Sequence, residues 1–158
     1  VPEVGSALET RLIRFVEEGG KLLVYGPADR TGPRFKALLN LQNAASLEGE
    51  FRLTSTLAPD HLLQPYPDRL IHRALFSGGG LATVVQNPRD DGTRVLARVQ
   101  QDKVSRDVVW TRTLPAWKGG QVAYVRGTNS SRFTGGKLLT PDDPGEVFTG
   151  PLLLRHVL

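Results

Sequence analysis

FVEEGGKLLVYGP, residues 15–27, runs from a charged, amphipathic segment through two adjacent glycines into four apolar residues and a Gly-Pro stop. Upstream of it, Ser6-Ala7-Leu8-Glu9 has the form of a capping box. The Ser6 hydroxyl accepts from the Glu9 amide while the Glu9 carboxylate reaches back to the amide of Ser6, so a helix is predicted to start there. Leu8, Leu12, Phe15 and Val16 then follow i, i+4, i+7, i+8 spacing and predict one buried stripe, with Glu9, Arg11, Arg14, Glu17 and Glu18 largely outside it. Gly19, free to take the left-handed conformation, ends the helix.

Leu22-Leu23-Val24-Tyr25 shows no alternation, the pattern of a strand covered on both faces, and Gly26-Pro27 closes it. A helix feeding a buried strand through a tight turn is half of a βαβ unit. A strand is therefore expected before Ser6, and Val1-Pro2 is read as its last step. The polarity of the joint also decides the role of Gly19 and Gly20. A phosphate loop leads from a strand into a helix N-terminus, where free amides converge; this pair closes a helix and opens a strand, so it presents carbonyls and is read as a structural joint.

Working toward the C-terminus, Gly32–Leu41 (GPRFKALLNL) predicts a short helix with Pro33 in its first turn and Phe35, Leu38 and Leu39 on its apolar side. FRLTSTL (51–57), LATVVQN (81–87) and RVLARVQ (94–100) have the short, β-branched character of strands, and the proline-punctuated 58–70 connects them. DVVWTRTL (107–114) and GQVAYVRGT (120–128) flank PAWKGG (115–120), a hairpin with Gly119-Gly120 as its permissive turn residues. Residues 128–146 read as a polar loop, and Thr149-Gly150-Pro151 opens a short apolar helix to Leu158. The whole, 1–158, is read as one α/β domain with a flavodoxin-like, partly parallel sheet and a C-terminal β-hairpin.

The chain has 158 residues, 39 % apolar and 23 % charged, the size of one ordinary domain. No apolar run approaches the ~20 residues that span a bilayer as a helix, so no membrane segment is expected. Cysteine is absent, which removes disulfides, thiolate metal sites and cysteine nucleophiles together. The formal charge is +4, from 15 Arg and 5 Lys against 16 acidic residues. The basic residues are scattered singly among acids and apolar positions, so nucleic acid is not an expected partner.

The chemical motifs narrow further. GTNSSRFTGGK has Ser131 and Leu138 where a P-loop requires Gly and Ser or Thr, and SGGGLAT (77–83) lacks the third glycine of a dinucleotide fingerprint. His61, His72 and His156 are too dispersed for a zinc motif, and Gly-x-Ser-x-Gly does not occur, so neither metal, cofactor nor catalytic residue is expected. The doublets Asp90-Asp91 and Asp142-Asp143 sit beside Gly or Pro and read as turn residues. What remains as candidate substrate contacts is Asp102, Asp107 and Trp117. An indole face stacks on a sugar, and Trp117, beside Lys118-Gly119, is expected to be exposed, whereas Trp110 inside an apolar strand is expected in the core.

LETRLIRFVEEGGKLLVYGP (8–27) resembles a helix–Gly-Gly–strand stretch of the class I glutamine amidotransferase-like fold, as found in the trimerisation domain of large β-galactosidases and in accessory domains of glycoside hydrolases. Residues 94–130 resemble the late part of that domain, a strand followed by a hairpin, and GPLLLRHVL (150–158) its closing helix. Together these cover about half the chain. Catalytic members of that fold carry a cysteine on a tight elbow and a His-Glu pair; this chain has no cysteine and no His followed closely by Glu, so the chemistry falls on no residue here. The resemblance implies an incomplete, non-catalytic accessory domain that contacts other domains or subunits of a larger, carbohydrate-active protein, with helix faces and the loops PAWKGG and TNSSRFTGGK as contact elements. Two alternatives stand beside it: a glycoside hydrolase using Asp102 and Asp107 with Trp117 as platform, and a carbohydrate-binding module resting on the tryptophans.

Overall fold

A computed structural model of the chain describes residues 1–55, 74–76 and 81–126. The expected connection 58–70, the polar loop 128–146, the terminal helix, the three histidines and Asp142-Asp143 lie outside the described residues.

Helix α1 spans Ala7–Glu17. The Ser6 hydroxyl accepts from the Glu9 amide at 3.1 Å, as the capping box requires. The Glu9 carboxylate, however, takes the amide of Gly5 at 2.6 Å, because the Ser6 amide already donates to the Glu3 carbonyl. Gly19 ends the helix at φ 103°, a left-handed conformation that strains a residue with a Cβ, and strand β1 (Lys21–Tyr25) follows at once. Helix α2 (Pro33–Leu39) starts with proline in its first turn and stops at Asn40 in the left-handed conformation, burying Phe35, Leu38 and Leu39 as the spacing predicts.

The remaining strands are β2 (Leu41–Asn43), β3 (Gly49–Ser55), β4 (Ala74–Phe76), β5 (Thr83–Val85), β6 (Thr93–Gln101), β7 (Val104–Arg112) and β8 (Gln121–Val125). Six of them form one sheet in the order β1-β8-β7-β6-β3-β4, and β2 pairs with β5 apart from it. The α/β class and partly parallel sheet are as expected. The parallel part is the pair β1–β8, in register from Lys21 opposite Gln121 to Tyr25 opposite Val125, while β8, β7, β6, β3 and β4 are antiparallel in turn. The hairpin across PAWKGG joins β7 to β8 through a one-turn 3-10 helix, Pro115–Trp117. A second hairpin, β6–β7, turns on Asp102-Lys103, with Asp102 at φ 51°.

Both helices lie on one face of the sheet. Their apolar sides meet Val24, Trp110, Val122 and Tyr124 in one core that also holds Ile13, Val16 and Trp117. Each such side chain contributes roughly 1.5–3 kcal/mol by leaving water. Two expectations fail here. Among the described residues strand β1 is the sheet edge and only Val24 of it is fully buried, so its apolar run is covered there on one face, not two. In α1 the fully buried positions are Glu9, Ile13 and Val16, whereas Leu8 and Phe15, assigned to the buried stripe, are exposed. The apolar arc of α1 runs roughly 160° from Phe15 to Ile13 at about 100° per residue. The core takes the half toward Ile13, where Glu9 is buried too, beside Gly32, the N-cap of α2. Val1-Pro2, read as the last step of a strand, form none.

Candidate interaction surface

Trp117, expected to be exposed, is buried, with 6 % of its surface accessible. The 3-10 turn folds the ring back into the core, and Lys118 (φ 52°) and Gly119 (φ 88°) then reverse the chain into β8. The Arg112 guanidinium covers the ring, 5.5 Å from its centroid. Trp110 is wholly buried, as expected, with its indole N–H donating to the Leu39 carbonyl at 2.8 Å. Neither indole presents a face to a sugar.

Asp102 sits at the exposed tip of the β6–β7 hairpin, and its backbone carbonyl accepts from the Gln100 side chain, Nε2, at 3.2 Å. Asp107 lies further along β7 and holds Arg98 across the ladder at 2.7 Å. Asp102 lies in the turn and Asp107 four residues into β7, so roughly 10 Å of strand besides the turn separates them, beyond the spacing at which an acid and a base act across one glycosidic bond. The structure does not bring them together. Asp90, read as a turn residue, accepts from the Gly92 amide at 2.8 Å as that reading requires. Its other oxygen holds Arg112 at 2.8 Å, and Arg112 also donates to the carbonyls of Ala37 and Leu38 in the last turn of α2. This clamp ties helix, hairpin and core together.

Open α/β sheets hold ligands at the carboxyl ends of parallel strands. Here that end, after Tyr25 and Val125, gathers Tyr25, Asp29, Tyr124 and Arg126. Arg126 is buried, and loss of water lowers its pKa while Tyr124, Asp29 and Tyr25 work the other way. Burial pushes the Tyr124 hydroxyl up to about 12. That hydroxyl has Thr83 and the Ala28 backbone as polar neighbours, but neither meets it in hydrogen-bond geometry. Tyr124 and Arg126 are buried at this end, while Tyr25 is half exposed.

The surface that stands out is apolar. Of the seven large hydrophobic side chains exposed among the described residues, six lie at or before Tyr25: Val1, Val4, Leu8, Phe15, Leu23 and Tyr25. The last four, 55 %, 50 %, 40 % and 50 % accessible, surround one feature, the open edge of β1. Alternation puts Leu23 and Tyr25 on the sheet face opposite the helices. On the helix face, the last turn of α1 lies over the entrances to β1 and β8. The Phe15 ring lies over Gly20, just before β1, and the Val16 carbonyl over Gly120, just before β8. Phe15 therefore flanks the β1 side, and Leu8, within about 20° of it round the helix, shares that flank. Among the described residues no strand pairs with this edge of β1, and apolar groups line it above and below. The uninterrupted LLVY run was the signal for this surface, and the burial it implied on a second face is absent among the described residues.

No protein-family model matches the sequence, and no curated protein matches it. Among solved structures, a β-galactosidase from Rahnella sp. R3 is similar over 97 % of this chain and 21 % of its own, with 14 % identity and a TM-score of 0.50. An exo-β-1,4-mannosidase, Op5Man5 from Opitutaceae bacterium strain TAV5, is similar over 79 % of this chain and 19 % of its own, with 19 % identity and a TM-score of 0.47. The chain thus spans about a fifth of the length of either enzyme. At these identities the likeness is one of fold.

Proposed function

We propose that this chain is a non-catalytic accessory domain, of the glutamine amidotransferase-like, flavodoxin-like kind, within a larger carbohydrate-active protein, and that it makes contacts between domains or subunits. The observation that carries the reading is the concentration of exposed apolar side chains around the open edge of β1. Contiguous apolar surface of this kind, beyond scattered single residues, marks contact sites. The fold likeness to a segment of a β-galactosidase supports the carbohydrate-active context. The burial of both indoles and the separation of Asp102 from Asp107 weigh against a binding module or a hydrolase built on those residues.

The test is turnover by the purified chain on p-nitrophenyl β-galactoside and β-mannoside. An accessory domain gives the uncatalysed rate. Hydrolysis that disappears in Asp102→Asn or Asp107→Asn would overturn the reading.

A further inference from the structure

Strand register sets out a second group of buried side chains. Trp110 and Tyr124 face the helices and pair with each other across β7 and β8. Alternation therefore turns Val109, Ala123 and Val125 to the opposite face, where Val109 pairs with Ala97 of β6. Val99 follows Ala97 by two residues, and Phe51 precedes Leu53, the partner of Val99 on β3, by two, so both share that face. Phe51, Ala97, Val99, Val109 and Val125 are at most 2 % accessible, and Ala123 7 %. Arg98 and Gln100, which alternate with them on β6, are exposed. None of the six belongs to the core that the helices close, and among the described residues no helix lies on their side. A bare sheet face leaves valines partly in water, so burial this complete requires a second layer. It is complete within a single copy, so the layer comes from the chain's own residues at 56–73, 77–80 or 127–158.

Of these stretches, 151–158 fits best. Pro59, Pro65 and Pro67 break 56–73 into pieces too short for a covering helix, and both its ends are tied to β3 and β4, at the far side of the sheet from β8. Residues 127–158 leave from β8 itself. Gly135, Gly136, Pro141, Pro144 and Gly145 punctuate their first part, whereas 152–158 holds no breaker and follows Pro151, which suits a first helical turn. At about 100° per residue, Leu153, Leu154, Val157 and Leu158 fall within one arc of about 140°, with Arg155 and His156 outside it. A helix is about 10 Å wide with its side chains, and the three strands β6, β7 and β8 span about the same.

We infer that residues 151–158 form a helix that lies against β6, β7 and β8 on the face opposite α1 and α2, and closes a second core around Val109 and Val125. The inference goes beyond the contact reading above and does not depend on it. A face sealed by the chain itself is withdrawn from any partner, which leaves the flank of α1 and the exposed Leu23 and Tyr25 as contact elements.

Because the chain has no cysteine, introduced thiols report alone. Under mild oxidation Val109→Cys should form an intramolecular disulfide with Leu153→Cys or Leu154→Cys at least about tenfold faster than with Leu62→Cys or Leu63→Cys, which test 56–73 as the cover. By itself, the thiol of Val109→Cys should resist iodoacetamide as well as that of Val122→Cys, in the core under the helices. Leu153→Ala together with Leu154→Ala should then speed alkylation at position 109 by more than about tenfold over any change at position 122, the mark of local rather than global opening. Faster cross-linking to position 62 or 63, cross-linking to none of the four, or equal acceleration at 109 and 122 would each overturn the inference.

Discussion

The indole N–H of Trp110, on the central strand β7, donates to the carbonyl of Leu39 at the end of α2 from a position with no solvent access. This bond, beside those from Arg112, joins the sheet to the C-terminus of a helix only seven residues long. Trp110→Phe keeps an aromatic ring but loses volume and leaves that carbonyl without its indole donor. The expected cost is about 2–3 kcal/mol in urea unfolding. A loss under about 0.5 kcal/mol would mean that the core closes over the site without the bond.

Arg112 reaches two carbonyls of α2, the Asp90 carboxylate and the face of Trp117 at once. A lysine is a point donor and cannot span that set. Arg112→Lys should cost about 2 kcal/mol, read as a fall of about 4–8 °C in Tm. Asp90→Ala, which removes one partner of a largely shielded pair, should do similar damage, and the double variant should cost less than the two added together.

Tyr124 sets an alkaline limit. Its pKa of about 12 in the fold lies above the ordinary value of 10, so the folded state holds the proton more tightly than the unfolded chain. That contribution is complete below pH 10 and declines as the pH rises toward 12, at up to about 1.4 kcal/mol per unit. Tyr124→Phe should flatten this decline. At pH 7 it should be neutral or slightly stabilising, because it removes a buried hydroxyl that makes no hydrogen bond. An alkaline unfolding curve identical in the two proteins would refute the assignment.

Gly119 and Gly120 should respond differently to alanine. At Gly119 the conformation is left-handed but the space is open, so Gly119→Ala carries backbone strain alone, about 1 kcal/mol. A Cβ at Gly120 would fall on the Val16 carbonyl oxygen, and α1 would have to move to admit it. Gly120→Ala should cost about 3 kcal/mol or abolish folding. Equal melting temperatures for the two variants would show that α1 is not held against the strand.

The carboxylates offered as substrate contacts should be dispensable for stability. Asp102→Asn keeps a side chain that tolerates the left-handed turn, and Asp107→Asn loses a half-exposed ion pair worth under about 1 kcal/mol. Circular-dichroism melts within about 2 °C of wild type are expected for both.

Local signals were legible where the local chain decides the outcome. Ser6, Gly19, Pro33 and the 115–120 turn act through their own backbone and near neighbours, and each stands where the residue pattern puts it. The β6–β7 hairpin escaped notice because Asp102-Lys103 contains neither glycine nor asparagine. Helical spacing gives the width of the apolar arc on α1 but not which half meets the core, and the half that does is the one where Glu9 is buried with its carboxylate on the Gly5 amide. Likewise LLVY announces a strand between two apolar environments without saying what supplies the second. Trp117 was misplaced because its neighbours Lys118 and Gly119 are polar or small, while its ring is carried inward by the turn itself and covered by Arg112, five residues away.

Gly20 and Gly120 stand side by side at the entrances to β1 and β8, with α1 resting directly on both. The last turn of the helix is seated there on bare backbone, so that end cannot slide or roll without a clash. The spacing between the outer flank of α1 and the rim of the sheet is therefore set by two missing methyl groups, and a surface built across both is as rigid as the peptide planes beneath it.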